Sequence, residues 1–227
     1  MLISISGYDG AGKTTQIKLL LAHYKQMGFK TASIYDILPN IRYHTYQELI
    51  NYYHYLVNFD VIHLRFRLNS DENNEIMKNL EYSDFDNVYL AEAAALQGFY
   101  DYYLLEKYVT IPLLDSGKTV ISDRHYYDEI AFKSVYGCSY SRMLKMYSEI
   151  HVPDFAFYLA VSAETAFKRN QNRPDGKTTL YKNIHLIEKL GNYFSKILQD
   201  TNLTFIDGHN SIANIHSALL KHIGNYT

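Results

Sequence analysis

Several things are scarce in this chain of 227 residues, and each scarcity closes a class of function. There is one cysteine, Cys138, which excludes an internal disulfide and a Cys-based zinc site and reads as a small half-buried residue. There is no excess of positive charge. Lys and Arg number 22 against 24 Asp and Glu, and a net charge of −2 supplies no general field to hold a nucleic acid. Small nucleotides remain open as partners, because a local site is enough to bind them. No apolar run approaches the roughly 20 residues of a membrane span, so no membrane partner is expected. None of the 10 histidines stands in H-E-x-x-H or another metal-ligand spacing. No repeat and no Pro/Gly/Ser-rich linker marks a boundary, and one domain over residues 1–227 is expected. What the chain has in quantity is tyrosine, 23 residues, suited to half-buried positions with wet hydroxyls and to stacking on a base.

The most informative stretch is Gly7-Tyr8-Asp9-Gly10-Ala11-Gly12-Lys13-Thr14-Thr15. A short apolar run, Met1 to Ser6, precedes it and a helical pattern, Gln16 to Met27, follows, so strand, loop and helix fall in the order that the G-x-x-x-x-G-K-[ST] phosphate loop requires. Glycines let the backbone turn sharply and aim N–H groups at phosphate oxygens, and the helix N-terminus adds a favourable field. Lys13 is placed to reach the outer phosphates and the Thr14 hydroxyl to ligate Mg²⁺. Asp9 is the odd member, an acid beside phosphates, and reads either as a turn-stabilising residue or as one serving a hydroxyl of a sugar or acceptor. Because the loop begins at residue 7, no signal peptide precedes the first strand and a cytoplasmic location is expected. Ser116-Gly117-Lys118-Thr119 imitates the end of such a loop, but Pro112 stands where its first glycine belongs, so a turn is expected.

Apolar strands are expected at Leu2–Ile5, Thr31–Ile37, Lys118–Asp123, Phe155–Val161 and Leu203–Asp207. Helical patterns separate them, including one long helix over Val88–Val109 and others at about Leu180–Gln199 and Ser211–Ile223. This alternation predicts an α/β fold, a five-stranded doubly wound parallel sheet flanked by helices, with ligands at the C-terminal ends of the strands. The phosphate loop, Asp123 and the Asp36–Asn40 turn then share one edge. The stretch Asp60–Ser70 is ambiguous. Ile62, Leu64, Phe66 and Leu68 alternate with His63, Arg65 and Arg67 as in a strand, yet a helix also fits. The polar stretch Asn69–Asn79 and the Glu81–Asn87 segment look like an exposed excursion.

Two further constellations carry chemistry. Asp123-Arg124-His125 ends the third strand: the carboxylate can orient Mg²⁺, directly or through water, and Arg124 offers a bidentate fork to a phosphate. His125 is expected beside the site by its place in this motif. Lys168-Arg169-x-x-x-Arg173, with Lys177 beyond, sets Arg169 and Arg173 on one helical face, where a mobile basic segment, 169–180, can close over phosphates as a lid.

Together these residues resemble the thymidylate kinase family of nucleoside monophosphate kinases. The resemblance rests on GYDGAGKTTQ (residues 7–16), GKTVISDRHYY (117–127), PDFAFYLAV (153–161) followed by Lys168-Arg169, and the late Ile206-Asp207-Gly208. It implies ATP-dependent phosphoryl transfer to a nucleoside monophosphate, most readily dTMP to dTDP, with Mg²⁺, and a homodimer as an option through Val88–Val109. It implies ATP-phosphate contacts from Gly10, Ala11, Gly12, Lys13, Thr14 and Thr15, and acceptor contacts from Asp9, Asp123 and Arg124. The metal would meet Thr14 and Asp123, and the catalytic set would be Lys13, Arg124, Arg169 and Arg173. Gly10, where some members carry an arginine, makes this sequence similar to the kind whose catalytic arginines lie in the lid. The chain departs from the family in three places, one being residues 58–86, which look like an insertion relative to compact members. The second-strand turn reads Tyr35-Asp36-Ile37-Leu38-Pro39-Asn40, and Ala91–Tyr103 lacks the arginine that helps hold thymidylate. Arg65 and Arg67 either restore acceptor contacts or lie on a solvated strand face. A kinase acting on a nucleoside or another small hydroxyl acceptor is the alternative, and a GTPase-type switch is disfavoured because no N-K-x-D guanine site is present.

Overall fold

A computed structural model describes residues 1–37, 46–65, 88–171, 180 and 183–224. Strand β1 (Leu2–Ser6) lies at the centre, paired in parallel with β4 (Thr119–Asp123) on one side and β5 (Phe155–Ala160) on the other. With β2 (Thr31–Ser33), β3 (Val61–Leu64) and β6 (Thr204–Asp207), the sheet runs β2-β3-β4-β1-β5-β6, and every adjacent pair is parallel. All five residues of β1 are buried, as expected of a parallel strand covered on both faces.

Among the described residues the α-helices are α1 (Lys13–Gln26), α2 (Ile34–Ile37), α3 (Tyr46–Leu56), α4 (Val88–Leu105), α5 (Ile111–Asp115), α6 (Tyr126–Val135), α7 (Tyr140–Met146), α8 (Ala163–Gln171), α9 (Ile184–Asp200) and α10 (Ile212–Ile223). α1 packs with α10, while α4, α6, α9 and α8 form a second chain of contacts. Local chemistry sets several of these boundaries. Asn183 caps α9 by accepting from His185 N at 3.0 Å, and Ser211 caps α10 by accepting from Asn214 N at 3.2 Å. Ile187, Leu190, Phe194 and Ile197 then give α9 one buried stripe at helical spacing.

The α/β architecture agrees with the expectation, but among the described residues the sheet has six strands rather than five. The extra strand is β3, inside the stretch 58–86 set aside as an insertion. Its four residues are all buried, His63 included, so the sequence alternation there does not separate a core face from a wet face. The His63 Nδ1 lies 2.9 Å from Ser33 Oγ, which lets an imidazole sit inside the sheet. The second strand is also shorter than expected: only Thr31–Ser33 pairs, and the chain turns helical at Ile34–Ile37. The long helix stops at Leu105, continues as a π-helical turn over Glu106–Thr110 and resumes as α5. Gly117 (φ 75) turns the chain into β4, as expected of the false phosphate loop. Among the described residues no helix is long and apolar enough to cross a membrane.

Candidate active site

The strand order reverses around β1, where the chain has gone out to β2, returned through β3 and β4, and then crosses to β5. At that switch point the C-terminal strand ends leave a crevice for ligands. The loop after β1 lies there. Gly7, Gly10 and Gly12 all have positive φ (139, 82 and 99), the region where a Cβ is penalised. Two of them are also crowded. A Cβ on Gly7 would sit 2.6 Å from Leu159 O, and one on Gly10 would sit 3.1 Å from Arg169 Cβ. No side chain caps α1, whose N-cap is Gly12, and no acid stands in its first turn. The dipole and first-turn amides therefore favour an anion.

Lys13 is buried and its Nζ donates to two loop carbonyls, Gly7 O at 3.0 Å and Tyr8 O at 2.9 Å. Burial, and then the charge of Arg124, lower its pKa from 10.5 to about 8, while Asp123, Asp9 and Asp128 pull the other way. Thr14 and Thr15 stand exposed at the start of α1.

Arg124 joins the loop to β4. Its Nη2 donates to Asp9 Oδ1 at 2.5 Å, and its Nη1 to Gly7 O at 3.1 Å and to Asp128 Oδ1 at 2.6 Å. Its backbone has φ 79, a conformation costing a non-glycine residue about 1–2 kcal/mol. Arg124 N donating to Ile5 O at 3.0 Å, and Ser122 Oγ donating to Arg124 O at 2.5 Å, hold it there.

Asp123 is 2% exposed, and its Oδ1 has no hydrogen-bond partner among the described residues. Its Oδ2 lies 3.9 Å from Arg65 Nε. The β3–β4 register explains this meeting: Leu64 is opposite Ser122, so the next residues, Arg65 and Asp123, face each other at the strand ends. Arg65 also donates to Tyr35 Oη at 2.6 Å. Of the two readings left open for Arg65, the structure supports a place at the crevice; Arg67 lies outside the described residues.

On the other side of the loop, Arg169 Nη1 donates to Gly10 O at 2.9 Å. Next to it, Asn170 is buried and its Nδ2 donates to Asp9 O at 2.7 Å and to Ala166 O at 2.8 Å. α8 thus lies directly on the loop, and the absence of a side chain at Gly10 makes room for it. Arg173, Lys177 and most of the expected lid lie outside the described residues, as do Leu38–Asn40 of the second-strand turn.

The structure thus brings together Asp9, Gly10, Lys13, Asp123, Arg124 and Arg169. Sequence reasoning missed Asp128 and Asn170; Asp128 closes a capping box with His125 at the start of α6, a local signal of capping alone, and nothing local marks Asn170. His125, expected beside the site, is buried instead. Its Nε2 lies 3.6 Å from Glu106 Oε1, and its ring packs against Tyr102, Tyr126 and Tyr127. Glu106 Oε2 accepts from His151 N at 2.7 Å, so the π-helical turn supplies a buried acid to a structural histidine. A cavity of about 460 Å³ runs from Thr14 along Lys18, Leu21 and Lys25 toward Thr31. Its other wall is Thr31, Ser33, Tyr35, Asp36 and His63, so the cavity lies between α1 and the β2–β3 side of the sheet and meets the crevice at Thr14 and at Tyr35, the partner of Arg65.

Comparison with known proteins agrees with this geometry. Residues 59–219, more than half of the chain, match the family model described as thymidylate kinase. The chain is 27% identical over 226 residues to a protein of Pyrococcus horikoshii named probable thymidylate kinase, covering 97% of this chain and 95% of that one. It is 22% identical over 222 residues to a thymidylate kinase of Desulfotalea psychrophila, covering 98% and 93%. It is also 32% identical to a thymidylate kinase of Leptospira interrogans over 101 residues, covering 44% and 48%. With the phosphate loop, the Asp123-Arg124 strand end and the parallel sheet in place, these matches mean that the chain belongs to the thymidylate kinase family and is a nucleoside monophosphate kinase.

Proposed function

We propose that the chain transfers the γ-phosphoryl group of ATP to a phosphate oxygen of dTMP, giving dTDP and ADP. The observation that carries this reading is the meeting of Lys13, Arg124 and Asp9 around Gly7, which supports a donor-phosphate loop working beside an acceptor-side arginine. An acceptor phosphate is already ionised, so no general base is required, and positioning and electrostatics supply the catalysis.

In this reading the loop amides and the uncapped start of α1, over Gly10, Ala11, Gly12, Lys13, Thr14 and Thr15, hold the ATP phosphates. Lys13 Nζ exchanges the carbonyls of Gly7 and Tyr8 for phosphate oxygens. Asp9 faces the acceptor sugar, while Arg124, supported by Arg65 from β3, faces the acceptor phosphate beside Asp123. Arg65 then supplies the positive charge that the long helix lacks. Arg169, at the end of α8, and Arg173 beyond it neutralise charge on the transferring group. Thr14 and the buried Oδ1 of Asp123, without a hydrogen-bond partner among the described residues, fit a Mg²⁺ ion, which when bound would neutralise phosphate charge. A second copy would pair along α4, whose Tyr89, Leu96, Tyr100 and Tyr103 are exposed.

A panel of acceptors with ATP and coupled detection of ADP tests the proposal. Turnover is expected with dTMP, and Lys13→Ala is expected to abolish it in a folded protein. Phosphorylation of nucleosides with no turnover of monophosphates would overturn the assignment.

A further inference from the structure

One buried carboxylate outside the expected set touches both halves of the crevice. Asp128, in the first turn of α6, is 1% exposed. Its Oδ1 accepts from Gly7 N at 3.2 Å and from Arg124 Nη1 at 2.6 Å, and its Oδ2 accepts from His125 N at 3.3 Å. Gly7 opens the phosphate loop, and its carbonyl receives both Lys13 Nζ and Arg124 Nη1. One turn further along α6, Phe132 lies under the Arg124 guanidinium, with Cζ 5.4 Å from the ring centroid. The guanidinium is thus held by one helix face while its other nitrogen reaches Asp9.

A helix N-terminus needs an acid near its third position only for capping, and an exposed side chain would serve that purpose. This acid is buried instead, and two of its three partners are the first peptide of the donor loop and the acceptor-side arginine. Buried charge of this kind is tolerated when its hydrogen bonds are satisfied, and it then fixes geometry closely.

We propose that Asp128 is a positioning residue for phosphoryl transfer: it locks the Arg124 guanidinium and the Gly7 peptide in one arrangement, so donor loop and acceptor arginine keep a set separation. The inference rests on the functional reading above for the role of Arg124. Asp128 acts through that side chain and touches no substrate.

The test compares wild type, Asp128→Asn, Arg124→Lys and the double variant, with folding stability measured alongside kcat and the KM values for ATP and dTMP. Asp128→Asn keeps the size and one acceptor oxygen but removes the charge. Its kcat is expected to fall at least tenfold while the KM for ATP changes less than threefold. In the Arg124→Lys background the same substitution is expected to change kcat less than threefold, because the group it positions is already altered. Loss of stability with unchanged kcat per folded molecule, or fully additive effects, would overturn the proposal. A crystal structure of Asp128→Ala gives a readout independent of activity. Arg124 is expected to leave Gly7 O, and a guanidinium unmoved between Gly7 O and Asp9 would overturn the positioning role. A wild-type protein that fails to phosphorylate dTMP would refute the substrate reading, while this structure would still decide the role of Asp128.

Discussion

Lys13 should make ATP binding depend steeply on alkaline pH. In the free protein its pKa is lowered from 10.5 to about 8, chiefly by burial and next by Arg124, so the site holds about 3 kcal/mol against the charged ammonium. In the proposed complex, phosphate oxygens would replace the Gly7 and Tyr8 carbonyls as partners and favour the ammonium, returning the pKa toward its ordinary range. Binding therefore takes up a proton wherever free Lys13 is neutral. The dissociation constant of a non-hydrolysable ATP analogue should rise roughly 30-fold between pH 7 and 9.5, with about 0.9 proton taken up at pH 9. Titration calorimetry in two buffers of different ionisation enthalpy measures both quantities, and Lys13→Met should abolish both. A dissociation constant constant within threefold over that range, or an equal slope in Lys13→Met, would refute the reasoning. The same group affects the free protein in the opposite sense. Its folded pKa is depressed, so the unfolded chain holds more protons between about pH 8 and 10.5, and this contribution to stability rises with pH there.

From about pH 10 upward the tyrosines act against the fold. Burial, first, and then neighbouring carboxylates raise the pKa values of Tyr102 and Tyr147 well above 10, and burial with the Tyr126 hydroxyl raises that of Tyr127. The unfolded chain then loses these protons first, and the three groups together should remove about 3 kcal/mol of stability between pH 10 and 11. Urea midpoints and tyrosinate absorbance measure this, and a midpoint unchanged over that unit would contradict it. Gly191 presents a packing test within α9, where a Cβ would overlap the hydroxyl of Tyr8. Tyr8 is buried in the loop and packs edge-on against Tyr158 and Phe194 at centroid distances of 6.2 and 6.1 Å. The helix gains about 1 kcal/mol from Gly191→Ala, but overpacking costs about 1–3 kcal/mol, so net destabilisation of about 1 kcal/mol is expected. Adding Tyr8→Phe should restore stability, and a Gly191→Ala protein more stable than wild type would show that the contact carries no strain.

By itself the sequence determined what depends on neighbours along the chain. The glycines, Lys13 and Thr14 declare a phosphate loop because their spacing is the chemistry. Asp123 declares a strand end because an apolar run stops there, and the alternation of strands and helices declares the doubly wound sheet. Only the tertiary structure decided what depends on residues far apart. β3 enters the sheet between β2 and β4, and that register brings Arg65 to Asp123. Asn170 reaches Asp9 O across 161 residues, and Asp128 reaches Gly7 N across 121. His125 turns away to Glu106 in a helical turn whose sequence resembles any other amphipathic segment. An isolated Asn or Asp on a helix looks the same whether it faces water or a loop peptide, because nothing in its own neighbourhood records what folds against it. The proposed donor half of the crevice is one continuous segment, so its residues can be named from the sequence. The residues proposed to face the acceptor come from β3 and β4, with Asp128 of α6 behind them, and only the packing of those elements brings them together.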